Sequence, residues 1–363
     1  MLPSKKYDAS LIQGMFRVLQ IWTKFKPVRL ARLWKRYRIF KKANRIRMKL
    51  FSSESLTIPP VIILSITMKC NLSCAGCYSR DYSLKDEMSL GQVESLFKQA
   101  EEMGIAFVVI TGGEPLLRKG LVDLLARHPK LVFFLFTNGY HINSTWVNNI
   151  KHLDHIIPIL SVEGDERDTD ERRGKGVHRQ VIMSMNHLKK AGIFFGFSVM
   201  ITRKNFRTIG DDAFIDTMIE QGCKIGYYVG YVPSAKDADK KLVPTAQEQK
   251  WFRSRINNFR GNKRIILIHM PDDEYELGGV CMAAGRGFVH VNAQGYVEPC
   301  PFAHLATDSV RTTSLKEVFQ SAFFKHIRED SKLLARPKMG CALFEHKEEL
   351  AKIGTQFSAK PTD

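Results

Sequence analysis

The stretch "MKCNLSCAGCYSR", residues 68–80, packs three cysteines, Cys70, Cys74 and Cys77, into eight positions with no fourth nearby. Four thiolates would close a tetrahedral zinc site, and two would close a disulfide. Three leave one coordination position open. The run just before it, "VIILSIT" (61–67), is continuously apolar and β-rich, which reads as a buried strand with the cysteine loop at its C-terminal end.

The same unit repeats outward from this point. "IAFVVIT" (105–111), "LVFFLFT" (131–137), "HIIPILSV" (155–162), "IFFGFSVMI" (193–201) and "KIGYYVGYV" (224–232) are further strand candidates separated by helix-like segments. One helix starts at Ser89 with Gln92 completing a capping box, runs through Leu90, Val93, Leu96, Phe97, Ala100 and Met103, and ends at Gly104. Continuous apolar strands covered by helices imply a parallel sheet, so residues 59–260 are expected to form an α/β partial (β/α)6 TIM-like barrel. Chemistry in such barrels gathers at the strands' C-terminal ends, where the cysteine loop and the "GGEP" turn (112–115) both fall. Beyond about 260 the style changes. "GRGFVHVNAQGYVEPC" (285–300) reads as a hairpin turning near 292–295, with a helix near 314–329, so 261–363 is expected to be a small hairpin-helix domain.

The 44% hydrophobic and 25% charged residues are globular values and argue against widespread disorder. Seven clustered cysteines, with no N-terminal run resembling an export signal, point to a reducing cytoplasmic compartment and to metal ligation rather than disulfides. The longest uncharged apolar stretches, 56–68 and 191–201, are too short to span a bilayer. The net charge of +18 is concentrated: residues 1–53 hold 15 Lys and Arg against the single acid Asp8, a net +14. The basic character therefore belongs to an N-terminal extension, taken here as 1–58, and not to the body of the chain.

Thiolates suit zinc, copper(I) and iron–sulfur clusters, and the three-residue gap between Cys70 and Cys74 fits the two-residue spacing of paired zinc cysteines poorly. Cys70-x3-Cys74-x2-Cys77 after a first barrel strand resembles the radical S-adenosylmethionine (SAM) superfamily. The resemblance implies a [4Fe–4S] cluster on these cysteines, with SAM chelating the open iron and yielding a 5′-deoxyadenosyl radical, an oxidoreductase-type chemistry carried by the cofactor. Gly112, Gly113, Glu114 and Pro115 look like the family's motif for the methionine amino group. Ser161 and Glu163 in "LSVEG" are its ribose-side candidates, and Asn138 and Arg173 also fall where family members contact SAM. The family usually has an aromatic residue before the third cysteine. Here that residue is Gly76, with Tyr78 the candidate to compensate.

Cys281-x13-Gly295-x4-Cys300, with Cys341 beyond the intervening helix, resembles a SPASM or twitch module and implies one auxiliary [4Fe–4S] cluster. Its fourth ligand is open between substrate, solvent, Glu345 and His346. Cys223 reads as a buried small hydrophobe. The family also implies a low-potential electron donor such as flavodoxin or ferredoxin.

In residues 9–26, Leu11, Ile12, Met15, Phe16, Leu19, Trp22 and Phe25 recur at helical spacing beside the polybasic run. Two readings follow: helices packed on the barrel, or docking of 1–53 on an anionic membrane face. Nucleic acid is a less fitting partner, since a bulky apolar stripe has little use on RNA. The leading expectation is a radical SAM enzyme, a monomer or small oligomer, acting on a lipid or other membrane-associated metabolite. The alternative is a maturase of a ribosomally made peptide. From another class, an iron–sulfur electron carrier or a zinc-stabilised binding protein would also use such cysteines.

Overall fold

The computed structural model describes residues 27–337 and 340–363, residues 27–33 as backbone only. The apolar stripe at 9–26 lies outside the described residues. All six expected strands form: β1 (Val61–Thr67), β2 (Phe107–Gly112), β3 (Val132–Thr137), β4 (Ile156–Ser161), β5 (Gly196–Ile201) and β6 (Ile225–Gly230). Each pairs in parallel with the next, as buried runs joined by helical crossovers should. Two additions were not anticipated. β7 (Ile266–Met270) follows the 246–262 helix and pairs in parallel with β6. The hairpin strands β8 (Phe288–Val291) and β9 (Val297–Glu298) join the same sheet, with β8 parallel to β1 from Val61↔Phe288 to Leu64↔Val291. The sheet order is β7-β6-β5-β4-β3-β2-β1-β8-β9, so the C-terminal hairpin flanks the strand that carries the cysteine loop.

Alternation along the strands separates two faces. Ile62, Leu64, Val108, Ile110, Phe133 and Leu135 pack outward against the helices. The inner face is visible from rings that meet across it: Phe134 and Phe136 of β3 contact Tyr227 of β6, a non-neighbouring strand, at centroid distances of 5.7 and 5.2 Å. The capping box at Ser89 and Gln92 forms as expected. The helix expected over 314–329 is two, Leu315–Gln320 and Ala322–Glu329, because the Ser321 hydroxyl accepts from Phe324 N and starts a second helix.

The helical half of the basic extension, Pro27–Glu54, packs across the N-terminal ends of the strands. Phe40 stacks on Phe107 at 4.9 Å, and Arg47 donates to the Gly104 carbonyl at 2.5 Å. Arg36 donates to the Pro129 carbonyl at 2.5 Å and pairs with Asp154. Gly104, Pro129 and Asp154 precede β2, β3 and β4, so the helix closes the barrel end opposite the cysteines. Gly104 has to be glycine: its φ is +76° and a β-carbon would lie 2.3 Å from the Ala43 carbonyl oxygen. Lys35, Arg38, Lys41 and Lys42 remain on the exposed side. No helix among the described residues is long and apolar enough to cross a membrane.

Candidate active site

The cysteine loop leaves β1 and is tied down at both ends. Glu87 accepts from Thr67 Oγ1 and Met68 N, both at 2.8 Å, and Ala75 N donates to the Arg172 carbonyl at 3.1 Å. Cys70 is exposed, Cys74 buried and Cys77 between the two. Burial pushes the Cys70 and Cys74 thiols up, and the negative charges of neighbouring thiolates push further in the same direction. At Cys74 the guanidiniums of Arg173 and Arg172 act the other way. Thiols that oppose one another's ionisation within one loop make a donor set suited to a polynuclear cation, and an iron–sulfur cluster fits it.

The turn after β2 continues β1's pairing into that loop. Gly113 N donates to the Thr67 carbonyl and Glu114 N to that of Lys69, both at 2.8 Å. β-Carbons on Gly112 and Gly113 would lie 2.2 Å from those same carbonyl oxygens, so close backbone approach demands glycine at both positions. Glu114 accepts from Leu116 N at 3.0 Å, Thr137 Oγ1 at 2.7 Å and Asn138 N at 2.8 Å. Burial nevertheless raises its pKa above the usual carboxylate value. Pro115, buried, opens the short helix 115–117. Asn138 Nδ2 reaches back to Asn71 Oδ1 at 2.8 Å, joining β3's end to the cysteine loop.

Ser161 is half-buried with its Oγ 3.3 Å from Ser198 Oγ. Glu163, 1% exposed, accepts from both Arg172 and Arg173 and from Met200 N at 3.2 Å. Burial alone would raise its pKa, but the two arginines outweigh burial and hold it below the ordinary value. Its carboxylate therefore holds in place the two guanidiniums whose charge favours the Cys74 thiolate. Arg172, adjacent to Arg173 in sequence, was missed because adjacency on a helix does not reveal a shared partner.

Tyr78 does not cover Gly76. Its ring packs edge-on to Tyr82 and Phe302, and burial together with the neighbouring Cys77 charge pushes its ionisation up to about 12. The space above Gly76 is filled by Tyr231, just past β6, whose buried hydroxyl makes no well-formed hydrogen bond among the described residues. Beside this cluster of rings runs a fully buried polar chain. Ser65 Oγ lies 2.8 Å from His290 Nε2, and His290 Nδ1 lies 2.5 Å from Glu298 Oε2. Glu298 also accepts from Tyr82 at 3.0 Å, Asn292 at 2.9 Å and Thr362 at 2.6 Å. Nothing in the sequence pattern pairs Ser65 with residues more than two hundred positions away.

Cys281, Cys300 and Cys341 are all buried, and each bears on the ionisation of another of the three. Cys300 hydrogen-bonds the Cys341 sulfur, which raises its own pKa and lowers that of Cys341. Cys281 is raised by burial and by the facing charges of Glu274 and Cys341. Glu274 is pushed up to about 7 by burial. Of the anticipated fourth ligands, Glu345 is exposed and His346 places Nδ1 3.1 Å from the Leu333 carbonyl oxygen. Cys223 is wholly buried and its thiol is raised by burial, as expected of a packing residue.

The profile of the radical SAM superfamily matches residues 64–214, and that of the SPASM iron–sulfur cluster-binding domain matches 281–342. The chain is a radical SAM superfamily enzyme with a C-terminal iron–sulfur cluster-binding domain, and its cofactors are SAM, a [4Fe–4S] cluster and auxiliary iron–sulfur. It is 25% identical over 268 residues to the sporulation killing factor maturation protein SkfB of Bacillus subtilis, covering 70% of this chain and 64% of that protein. It is 27% identical over 302 residues to the PqqA peptide cyclase of Rhizobium meliloti, covering 75% of this chain and 77% of the relative. Its fold is similar to that of Streptococcus suis SuiB bound to precursor peptide SuiA, with TM-score 0.66, 15% identity, and 78% and 70% of the two chains covered.

Proposed function

We propose that this enzyme matures a ribosomally made peptide by radical hydrogen abstraction. The observation that carries the reading is its likeness, over 70% and 75% of its length, to a maturation protein and a peptide cyclase. A lipid substrate has no such support. The packing of the 27–54 helix against the barrel favours a structural use for that part of the basic extension.

Cys70, Cys74 and Cys77 would hold three irons of the cluster, leaving the fourth for SAM. Bound there, the cluster and SAM would supply the electron and the radical chemistry for hydrogen abstraction from substrate. The chain's own residues position these groups. Gly112 and Gly113 let the second strand's backbone lie against the cysteine loop. Glu114 and Asn138 fix the turn, and Ser161 and the Glu163-held Arg173 border the cofactor. Cys281, Cys300 and Cys341 would hold the auxiliary cluster. Flavodoxin or ferredoxin would deliver the electron in the cytoplasm.

The test is anaerobic 5′-deoxyadenosine formation with a short peptide encoded beside the enzyme, against anionic vesicles. Peptide-dependent turnover with a change in peptide mass supports the reading. Turnover that follows the vesicles and ignores peptides overturns it.

A further inference from the structure

The short helix Asp272–Gly278 carries three acids at its start, and they have different surroundings. Asp272 pairs with Arg253 and Arg336, and Asp273 pairs with Arg260. Glu274 is 8% exposed, and among the described residues no lysine, arginine or histidine pairs with it. It accepts from Met282 N at 2.9 Å and hydrogen-bonds the Cys281 side chain. The hydroxyl of the next residue, Tyr275, is buried beside Cys281 and Cys341 and makes no well-formed hydrogen bond among the described residues. A buried carboxyl without a counter-charge is costly in its ionised form unless a proton or a metal cation neutralises it. Here it lies beside the sulfurs of Cys281 and Cys341, and iron held there would be that cation.

We propose that Glu274 is the fourth protein ligand of the auxiliary cluster. It rests on the auxiliary-cluster reading of Cys281, Cys300 and Cys341 and completes that set as a three-thiolate, one-carboxylate site. The cluster is then closed by the protein, with no iron reserved for substrate. The helix start is held by its two arginine-paired neighbours, which fixes the carboxylate before any metal arrives.

The test uses the full chain with Cys70→Ala, Cys74→Ala and Cys77→Ala, so that iron reports the auxiliary site alone. The reconstituted protein is assayed for iron and sulfide, examined by electron paramagnetic resonance and titrated for its midpoint potential. This parent is expected to hold about four irons per chain. Glu274→Ala is expected to lose one iron on mild oxidation and show a three-iron signal, whereas Glu274→Cys keeps all four and shifts the midpoint. Glu274→Gln retains an acceptor for Met282 N, so an altered spectrum with unchanged circular dichroism separates ligation from folding. Unchanged iron, spectrum and midpoint in Glu274→Ala and Glu274→Gln overturn the proposal. A parent that takes up no iron overturns the auxiliary site itself, which is a distinguishable result.

Discussion

A β-carbon on Gly76 would lie 2.8 Å from the Tyr231 hydroxyl, so the end of the sixth strand holds the space that a side chain before Cys77 would need. Gly76 also has a φ of +63°, where an L-residue costs about 1–2 kcal/mol. Gly76→Ala is therefore expected to destabilise by more than the backbone cost alone. Adding Tyr231→Phe removes the colliding oxygen and should recover the excess. Urea unfolding of the double-mutant cycle checks this, and equal losses in both backgrounds would mean the two residues do not touch.

Glu163 offers a pH test. Its folded pKa is held below the ordinary value by Arg172 and Arg173, so its contribution is present above about pH 4.3 and is lost as pH falls through the lowered folded pKa. Glu163→Gln breaks a buried charge pair and is expected to cost about 3–5 kcal/mol at pH 7. The gap between wild type and variant should close on acidification below about pH 4. A gap independent of pH would place the effect in packing.

All six barrel strands were legible because a buried parallel strand is apolar on both faces, and β1 was read to the residue at Val61–Thr67. The "GGEP" turn was legible because close approach leaves glycine as the only fit. What escaped was long-range pairing. β7 is a five-residue run beside polar sequence, and the hairpin's place in the sheet depends on β8 meeting β1 across more than two hundred residues. Tyr231 and Glu274 escaped for the same reason: each looks ordinary until the fold sets it against Gly76 or Cys281.

Glu298 gathers four partners in a fully buried setting, so its removal strands several donors at once. Glu298→Ala is expected to cost about 3–5 kcal/mol, and Thr362→Val about 1 kcal/mol through loss of one bond. Chemical denaturation of both variants measures this. Comparable small losses would show that the network contributes little.

Phe40 distinguishes packing from membrane docking. Phe40→Ala removes the ring stacked on Phe107 and is expected to lower thermal stability while leaving retention on anionic vesicles unchanged. Lost retention with unaltered melting would instead assign this part of the helix to a lipid surface.

The cysteines separate by role. Cys74→Ala should abolish 5′-deoxyadenosine formation, whereas Cys223→Ala should keep full iron content and turnover, because its thiol is sealed in the outer core. Iron loss in Cys223→Ala would make it a ligand.

The parallel pairing of β8 with β1 also limits how this enzyme can be taken apart. A chain trimmed to the barrel would leave β1 as a bare edge, its N–H and C=O groups open to any passing strand. That edge is the strand that feeds Cys70. The auxiliary region is therefore a wall of the radical chamber rather than a detachable cassette, and grafting a foreign module in its place would require matching a strand register as well as supplying cysteines.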